Sequence, residues 1–402
     1  MGFRRAARAL GMGAWFLLFP ASFAAPSLVA EAAAGQWWVR VLVVESSPVV
    51  NLGGPRGVYA WDLATRGYVA TPGPGKALNL RGCCPGQVTL ADGRLAGPLG
   101  ARSMDGSPVA VNGQRYRGHV EVHGAGNRLL VVNVVELEEY LRGVVRGEVP
   151  PDWPLEALKA QAIVARSYAV YQVRHSAGSL WHMKATVESQ VYRGVQAEDP
   201  RTSSAVEQTR GLVLARWGQP IPAFYHADSG GHTEDAASVF PKAWSPVQLV
   251  GVEDPHSLGS PYFVWQQALP LDGMRRTLAA AGYDGGAIVG LEPVEFSRTG
   301  RVQTLRIRTA NGAFILEGKR FRELMGWEVV RSTRFTATVD GRAARLIGRG
   351  WGHGVGMPQW GAKGMADLAY RAPDILHFYF PAAEIQPLER LSCCLTPETQ
   401  VR

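Results

Sequence analysis

The sequence predicts an α+β fold, and three observations lead there. Glycine (47) and proline (26) punctuate the 402 residues densely, which suits many turns and short strands rather than a helical bundle. Apolar residues alternate at Trp37, Val39, Val41 and Val43, whereas Leu155, Leu158, Ala162, Ala165, Ala169 and Val173 recur at helical spacing, so both kinds of element are present. Hydrophobic residues make up 46% and charged residues 19%, which supports a packed body and argues against disorder. A chain this long fits one large domain or two moderate ones.

Residues 1–24 read as an export signal. Arg4, Arg5 and Arg8 precede the apolar stretch Ala9 to Ala21, and small residues follow at Ser22 and Ala24. The stretch is short for a membrane span, so a cleaved signal is expected, with an uncleaved N-terminal anchor as the alternative. Residues 36–115 are expected to be a β-rich N-terminal region, broken at Gly53-Gly54-Pro55, Gly73-Pro74-Gly75 and Gly82-Cys83-Cys84-Pro85-Gly86. Residues 116–390 form the main domain and 391–402 a C-terminal tail. Within the main domain, Tyr116 to Val122 and Leu129 to Val135 read as paired strands, and Glu136 to Val145 as a short amphipathic helix. The loop from Arg146 to Pro151 follows, and then a helix capped by Asp152 that ends near His175. Leu212 to Trp217 and Ile221 to His226 read as a hairpin around Gly218-Gln219. Residues 266–345 look like a helix followed by strands. Helices are expected around Met365 to Ala369 and from Asp374 to Tyr379.

The net charge is +8. A basic exported protein meets anionic wall polymer or lipid headgroups rather than nucleic acid, so no nucleic-acid partner is expected, and a membrane partner only if the N-terminal segment stays uncleaved. The four cysteines form two adjacent pairs, Cys83-Cys84 and Cys393-Cys394. Of the three possible pairings, two join one pair to the other, and the third needs two strained vicinal bridges. In an oxidising compartment a bond from Cys83 or Cys84 to Cys393 or Cys394 is expected.

One constellation carries chemistry: Arg142-Gly143-Val144-Val145-Arg146-Gly147-Glu148-Val149-Pro150, followed by Trp153-Pro154, Glu156 to Ala162 and Arg166-Ser167-Tyr168. A carboxyl held between a glycine and a proline pair and walled by aromatics has a raised pKa and suits a general acid. The plainer role for Glu148 is a solvated loop residue that caps the helix.

The run GEVPPDWPLEALKAQAIVARSYA resembles the signature of the SpoIID/LytB family. Two further stretches match the family in the same order. One is Ser189 to Gly194 with Thr209-Arg210-Gly211 and Tyr225 to Thr233; the other is Gly348 to Ala362. The resemblance implies peptidoglycan as the substrate. The family's sporulation members are lytic transglycosylases acting on glycan stripped of stem peptides, and other members are enhancers of a partner amidase. It places the catalytic glutamate at Glu148, with one carboxyl first protonating the glycosidic oxygen and then, as base, helping the muramic 6-hydroxyl to close. That differs from the two-carboxylate hydrolytic scheme.

Arg166, Tyr168, Gln190, Tyr192, Ser229, Thr233, His353 and Gln359 are the expected substrate-binding residues, by hydrogen bonds to sugar oxygens or by stacking. Asp228 and Glu234 are candidates for a second acidic role, with turn stabilisation the plainer one. Some family members hold zinc through His and Cys before the Gln-x-Tyr motif. Here that stretch, 175–190, has His182 and no cysteine, so neither a metal nor another cofactor is expected. The catalytic region is expected to form two lobes around a groove, with Gly147 to Tyr168 facing Gly350 to Trp360. The rival to the enzyme is a non-catalytic wall-binding enhancer of an amidase.

Overall fold

The computed structural model describes residues 36–240 and 249–391. The signal segment and the pair Cys393-Cys394 lie outside them. The architecture is α+β. Residues 38–136 fold as two sheets, antiparallel except where Met183–Lys184 joins one edge in parallel. The seven-stranded one runs in the order Met183–Lys184, Trp38–Ser47, Arg128–Glu136, His119–Ala125, Leu99–Ser103, Val58–Asp62, Tyr68–Ala70. The six-stranded one is built around Val49–Gly53 and Leu78–Cys84. Alternation drives the packing, since Val39 and Val41 point into a shared core with Val50, Leu52, Leu80 and Val120, all fully buried. The sheet crosses position 115: Trp38–Ser47 pairs with Arg128–Glu136, so the N-terminal region and the start of the main domain share one sandwich. Cys83 and Cys84 sit at a bulge in the hairpin with Gln87–Leu90, their sulfurs 3.1 Å apart and not bonded to each other.

Helix α1 (Leu137–Glu148) buries Leu137, Tyr140, Leu141, Val144 and Val145 on one face. The Glu136 carboxylate caps its start, accepting from the Glu138 and Glu139 N–H groups at 2.9 and 3.1 Å. Val149 is extended ahead of Pro150-Pro151, which stops the helix. Glu148 is therefore the last helical residue, not part of a loop. Helix α2 (Leu155–His175) starts after Pro154, and Asp152 makes no cap. Its many alanines bury both sides, Ala162 and Ala165 against the sandwich, Ala160, Ile163 and Val164 against a second core. Helices α3 (Pro200–Gln208) and α4 (Ala236–Val239) follow.

The expected hairpin forms only as Leu212–Arg216 with Gln219–Pro220, turning at Trp217 and Gly218, both with positive φ. Tyr225–His226 leaves it to pair in parallel with Met357–Pro358. Residues 264–349 form a lobe with its own core around Trp265, Leu305, Ile307 and Phe321. A strand, Val264–Pro270, comes first in it, ahead of α5 (Leu271–Ala280), and α6 (Gly318–Met325) closes its second sheet. Helices α7 (Gln359–Asp367) and α8 (Ala372–Tyr379) complete the second core. Among the described residues, no helix is long and apolar enough to cross a membrane.

Candidate active site

The glycine-rich stretch explains how the two lobes meet. Gly350, Gly352, Gly354 and Gly356 all have positive φ, and each presses on the Phe224–Gly230 segment or on Arg301. A Cβ on Gly356 would lie 2.1 Å from the Phe224 carbonyl oxygen, and one on Gly354 2.5 Å from Arg301 Cζ. Only glycine allows both the conformation and the approach. The nested strands deliver Tyr225, His353 and Gln359 to a cavity of about 840 Å³ that Glu148 also lines. Its far wall comes from the 264–349 lobe, with Arg301, Thr304, Lys319, Arg322 and Trp327. The two motifs expected to face one groove thus share this cavity.

Glu148 owes its position to Gly147. A Cβ there would come within 2.6 Å of the Val191 carbonyl oxygen, so glycine lets residues 190–192 pack against the end of α1. The Val191 N–H then donates to Glu148 Oε1 at 2.7 Å, and Gln359 Nε2 faces Oε2 at 3.4 Å. The carboxyl is half-buried in the cavity wall. Burial raises its pKa above the usual carboxylate value; Val191, Tyr225 and Gln359 pull the other way without cancelling it. The negative end of the α1 dipole acts in the same sense as burial. The buried Tyr225 hydroxyl lies by Glu148 and Gln190, and finds no hydrogen-bond partner of good geometry.

His353 lines the cavity in a neutral form. Its Nδ1 accepts the Val355 N–H at 3.0 Å, so the ring proton is on Nε2, and burial together with Arg322 pushes its pKa down to about 3. Its ring lies 5.3 Å from that of His226, whose pKa burial also holds well below the ordinary value. Tyr168 lines the same cavity.

Five of the expected binding residues lie instead in the scaffold. Arg166 is fully buried and bidentate to Glu138 at 2.8 and 2.7 Å. Gln190 is fully buried between the Tyr140 hydroxyl and the Ala165 carbonyl. The Tyr192 ring lies tilted against Tyr140, and its hydroxyl donates to Asn133 at 2.9 Å. Ser229 donates to Asp254, and Thr233 is tied to Val252 by its backbone and side chain. In each case the polar group is satisfied inside the protein, leaving none for a ligand. Asp228 caps the Gly230 turn at 2.6 Å, and Glu234 accepts from Ser297 and Thr299 and lies 3.9 Å from Arg301. His182 Nδ1 accepts the Arg40 N–H at 3.1 Å. Among the described residues, no three His, Cys, Asp or Glu side chains gather to hold a metal.

Tyr225, Arg301, Lys319 and Arg322 were not foreseen as site residues. Tyr225 stands inside a quoted motif, so its position was visible. The cationic wall lies in a middle segment with no recognisable pattern.

A half-buried carboxyl with a raised pKa, in a cleft between two lobes, defines a candidate acid–base site. Residues 125–215 match the stage II sporulation protein family, and residues 249–356 match a domain of unknown function. Stage II sporulation protein D of Bacillus subtilis is 30% identical over 303 residues, covering 71% of this chain and 81% of that protein. An uncharacterised protein of Brachyspira hyodysenteriae is 31% identical over 289 residues, covering 72% of this chain and 77% of that one. The amidase enhancer of Bacillus subtilis is 28% identical over 292 residues, 61% of this chain and 40% of that protein. The chain belongs to the stage II sporulation protein D family.

Proposed function

We propose that this protein is an exported, envelope-located lytic transglycosylase that cleaves the MurNAc–GlcNAc bond of peptide-stripped peptidoglycan strands. The observation that carries the reading is Glu148, a carboxyl with a raised pKa at the cavity wall whose contacts are an amide N–H, a glutamine and a tyrosine. The Val191 N–H holds Oε1 at 2.7 Å, while Gln359 Nε2 donates to Oε2 only at 3.4 Å, so Oε2 is the less firmly held oxygen and the one to carry the acidic proton into the cavity. That proton passes to the glycosidic oxygen as the bond to the anomeric carbon breaks. The resulting carboxylate takes the proton of the muramic 6-hydroxyl, whose oxygen closes on the anomeric carbon to give a 1,6-anhydro end. In this route one group serves as both acid and base, in place of the two separated carboxylates of the hydrolytic scheme. Tyr225 is a positioning residue that hydrogen-bonds the carboxylate once the proton has left. Tyr168, His353, Gln359 and Trp351 line the sugar path.

A second reading rests on the relative named amidase enhancer: a wall-binding protein that stimulates an amidase. Purified peptide-free glycan strands, incubated with the protein and analysed by mass spectrometry, separate the two. The enzyme releases 1,6-anhydro fragments. Hydrated reducing ends would contradict the transglycosylase chemistry. Intact strands together with faster amidase turnover would favour the enhancer.

A further inference from the structure

We propose a second glycan-binding surface, an aromatic platform on the outer face of the seven-stranded sheet. It rests on the reading of glycan as the substrate and adds a binding site outside the catalytic cavity. Tyr59 and Trp61 on Val58–Asp62 and Tyr68 on Tyr68–Ala70 share this face, as do Arg102 and His119 on the neighbouring strands. The rings form a continuous row. Tyr59 lies 6.0 Å from Trp61 at 26° and 6.0 Å from Tyr68, and Trp61 lies 5.7 Å from His119.

Gly100 makes the row possible. It is the register partner of Trp61, and a Cβ there would lie 2.2 Å from Trp61 Cε2. The bare backbone lets the indole pack directly over Gly100. Rings that served only to pack the sheet would be covered, yet Tyr68 is 64% exposed and Tyr59 and Trp61 are only partly buried. The Arg102 guanidinium sits 5.8 Å from the centre of the Tyr59 ring. Flat aromatic faces fringed by hydroxyl, indole and guanidinium donors match the two sides of a pyranose, an apolar C–H face and a rim of hydroxyls. A protein partner would call for a broader apolar patch, and an anionic polymer for more than one cation.

The platform lies at the far edge of the sheet from Met183–Lys184, the strand that leads into the cavity-lining residues Val187, Glu188, Ser189 and Val191. Six interstrand steps of roughly 4.8 Å put about 29 Å between the two edges. A long strand can engage both sites, and a short fragment only one, so the platform acts by raising the effective concentration of long substrate.

The test uses the full chain carrying Glu148→Gln, so that bound strands are not cleaved. Affinity for long peptide-free glycan strands and for a short tetrasaccharide of the same repeat is measured with and without Tyr59→Ala plus Tyr68→Ala. A parallel variant, Arg102→Ala with Tyr68→Ala, touches only exposed side chains and guards against misfolding. Both are expected to weaken long-strand binding at least about fivefold and to leave the tetrasaccharide unchanged. A smaller loss for long strands, or an equal loss for the tetrasaccharide, overturns the platform. If the protein with an intact platform binds neither ligand, the glycan reading itself falls.

Discussion

Glu148 is the last residue of α1, where burial and the helix's unpaired carbonyls both favour the protonated acid. A carboxyl whose pKa is higher folded than unfolded binds an extra proton in the folded state between those two values. Stability is then fully present below the unfolded pKa and falls as pH rises through the folded one. Glu148→Gln removes that ionisation. The variant should therefore melt no lower than wild type at pH 8 and gain less at pH 5, by calorimetry across pH. A variant that loses stability at pH 8 would mean that the ionised carboxylate is a favoured state. Tyr225→Phe removes a hydroxyl with no well-made hydrogen bond in the resting protein, so its melting temperature should hold. Because Tyr225 lowers the Glu148 pKa, its loss should shift the alkaline limb of the pH–rate profile upward while kcat falls. An unchanged profile would remove Tyr225 from the site. Arg166 makes the opposite case, since it is fully buried with Glu138. Arg166→Met strands that carboxylate and should cost about 3–5 kcal/mol in denaturant unfolding. A stable Arg166→Met protein with a raised KM would restore the substrate contact that the sequence suggested.

At the scale of elements, the glycines decide whether the site assembles. Gly356→Ala requires positive φ on alanine and a Cβ 2.1 Å from the Phe224 oxygen. The backbone conformation alone costs about 1–3 kcal/mol, and the clash adds to it. The variant should unfold at lower denaturant, and the protein that remains folded should turn over slowly because Tyr225 and Gln359 shift from Glu148. Chymotrypsin-resistance and turnover assays on one preparation read both effects. The elements were largely legible. The alternation in Val39 to Val43 and the helical spacing of α2 report burial directly, and their residues are where periodicity put them. What sequence missed were choices made by tertiary pairing. Tyr225–His226 abandons its local hairpin for Met357–Pro358, more than a hundred residues away, and no local pattern encodes that partner. Motif membership likewise could not separate Gln359, which faces the carboxyl, from Gln190, which holds α2 to α1. Both are buried glutamines in quoted motifs, and only their contacts distinguish them.

For the whole molecule, the sandwich and α1 fix Glu148, and the nested glycine-rich segment brings the 264–349 lobe to the other side of the cavity. In the proposed mechanism this single carboxyl performs both proton transfers of glycan cleavage. Glu148→Gln tests it most directly, because the amide preserves size and hydrogen bonding but cannot donate the acidic proton. Loss of a general acid alone lowers rates roughly 10²–10⁴-fold, and here the same group must also act as base. With purified peptide-free strands, wild type should release 1,6-anhydro fragments, while the variant binds the strands equally well and releases almost none. A variant that binds the strands and still cleaves them at a rate close to wild type would contradict the claim and place the chemistry on another residue.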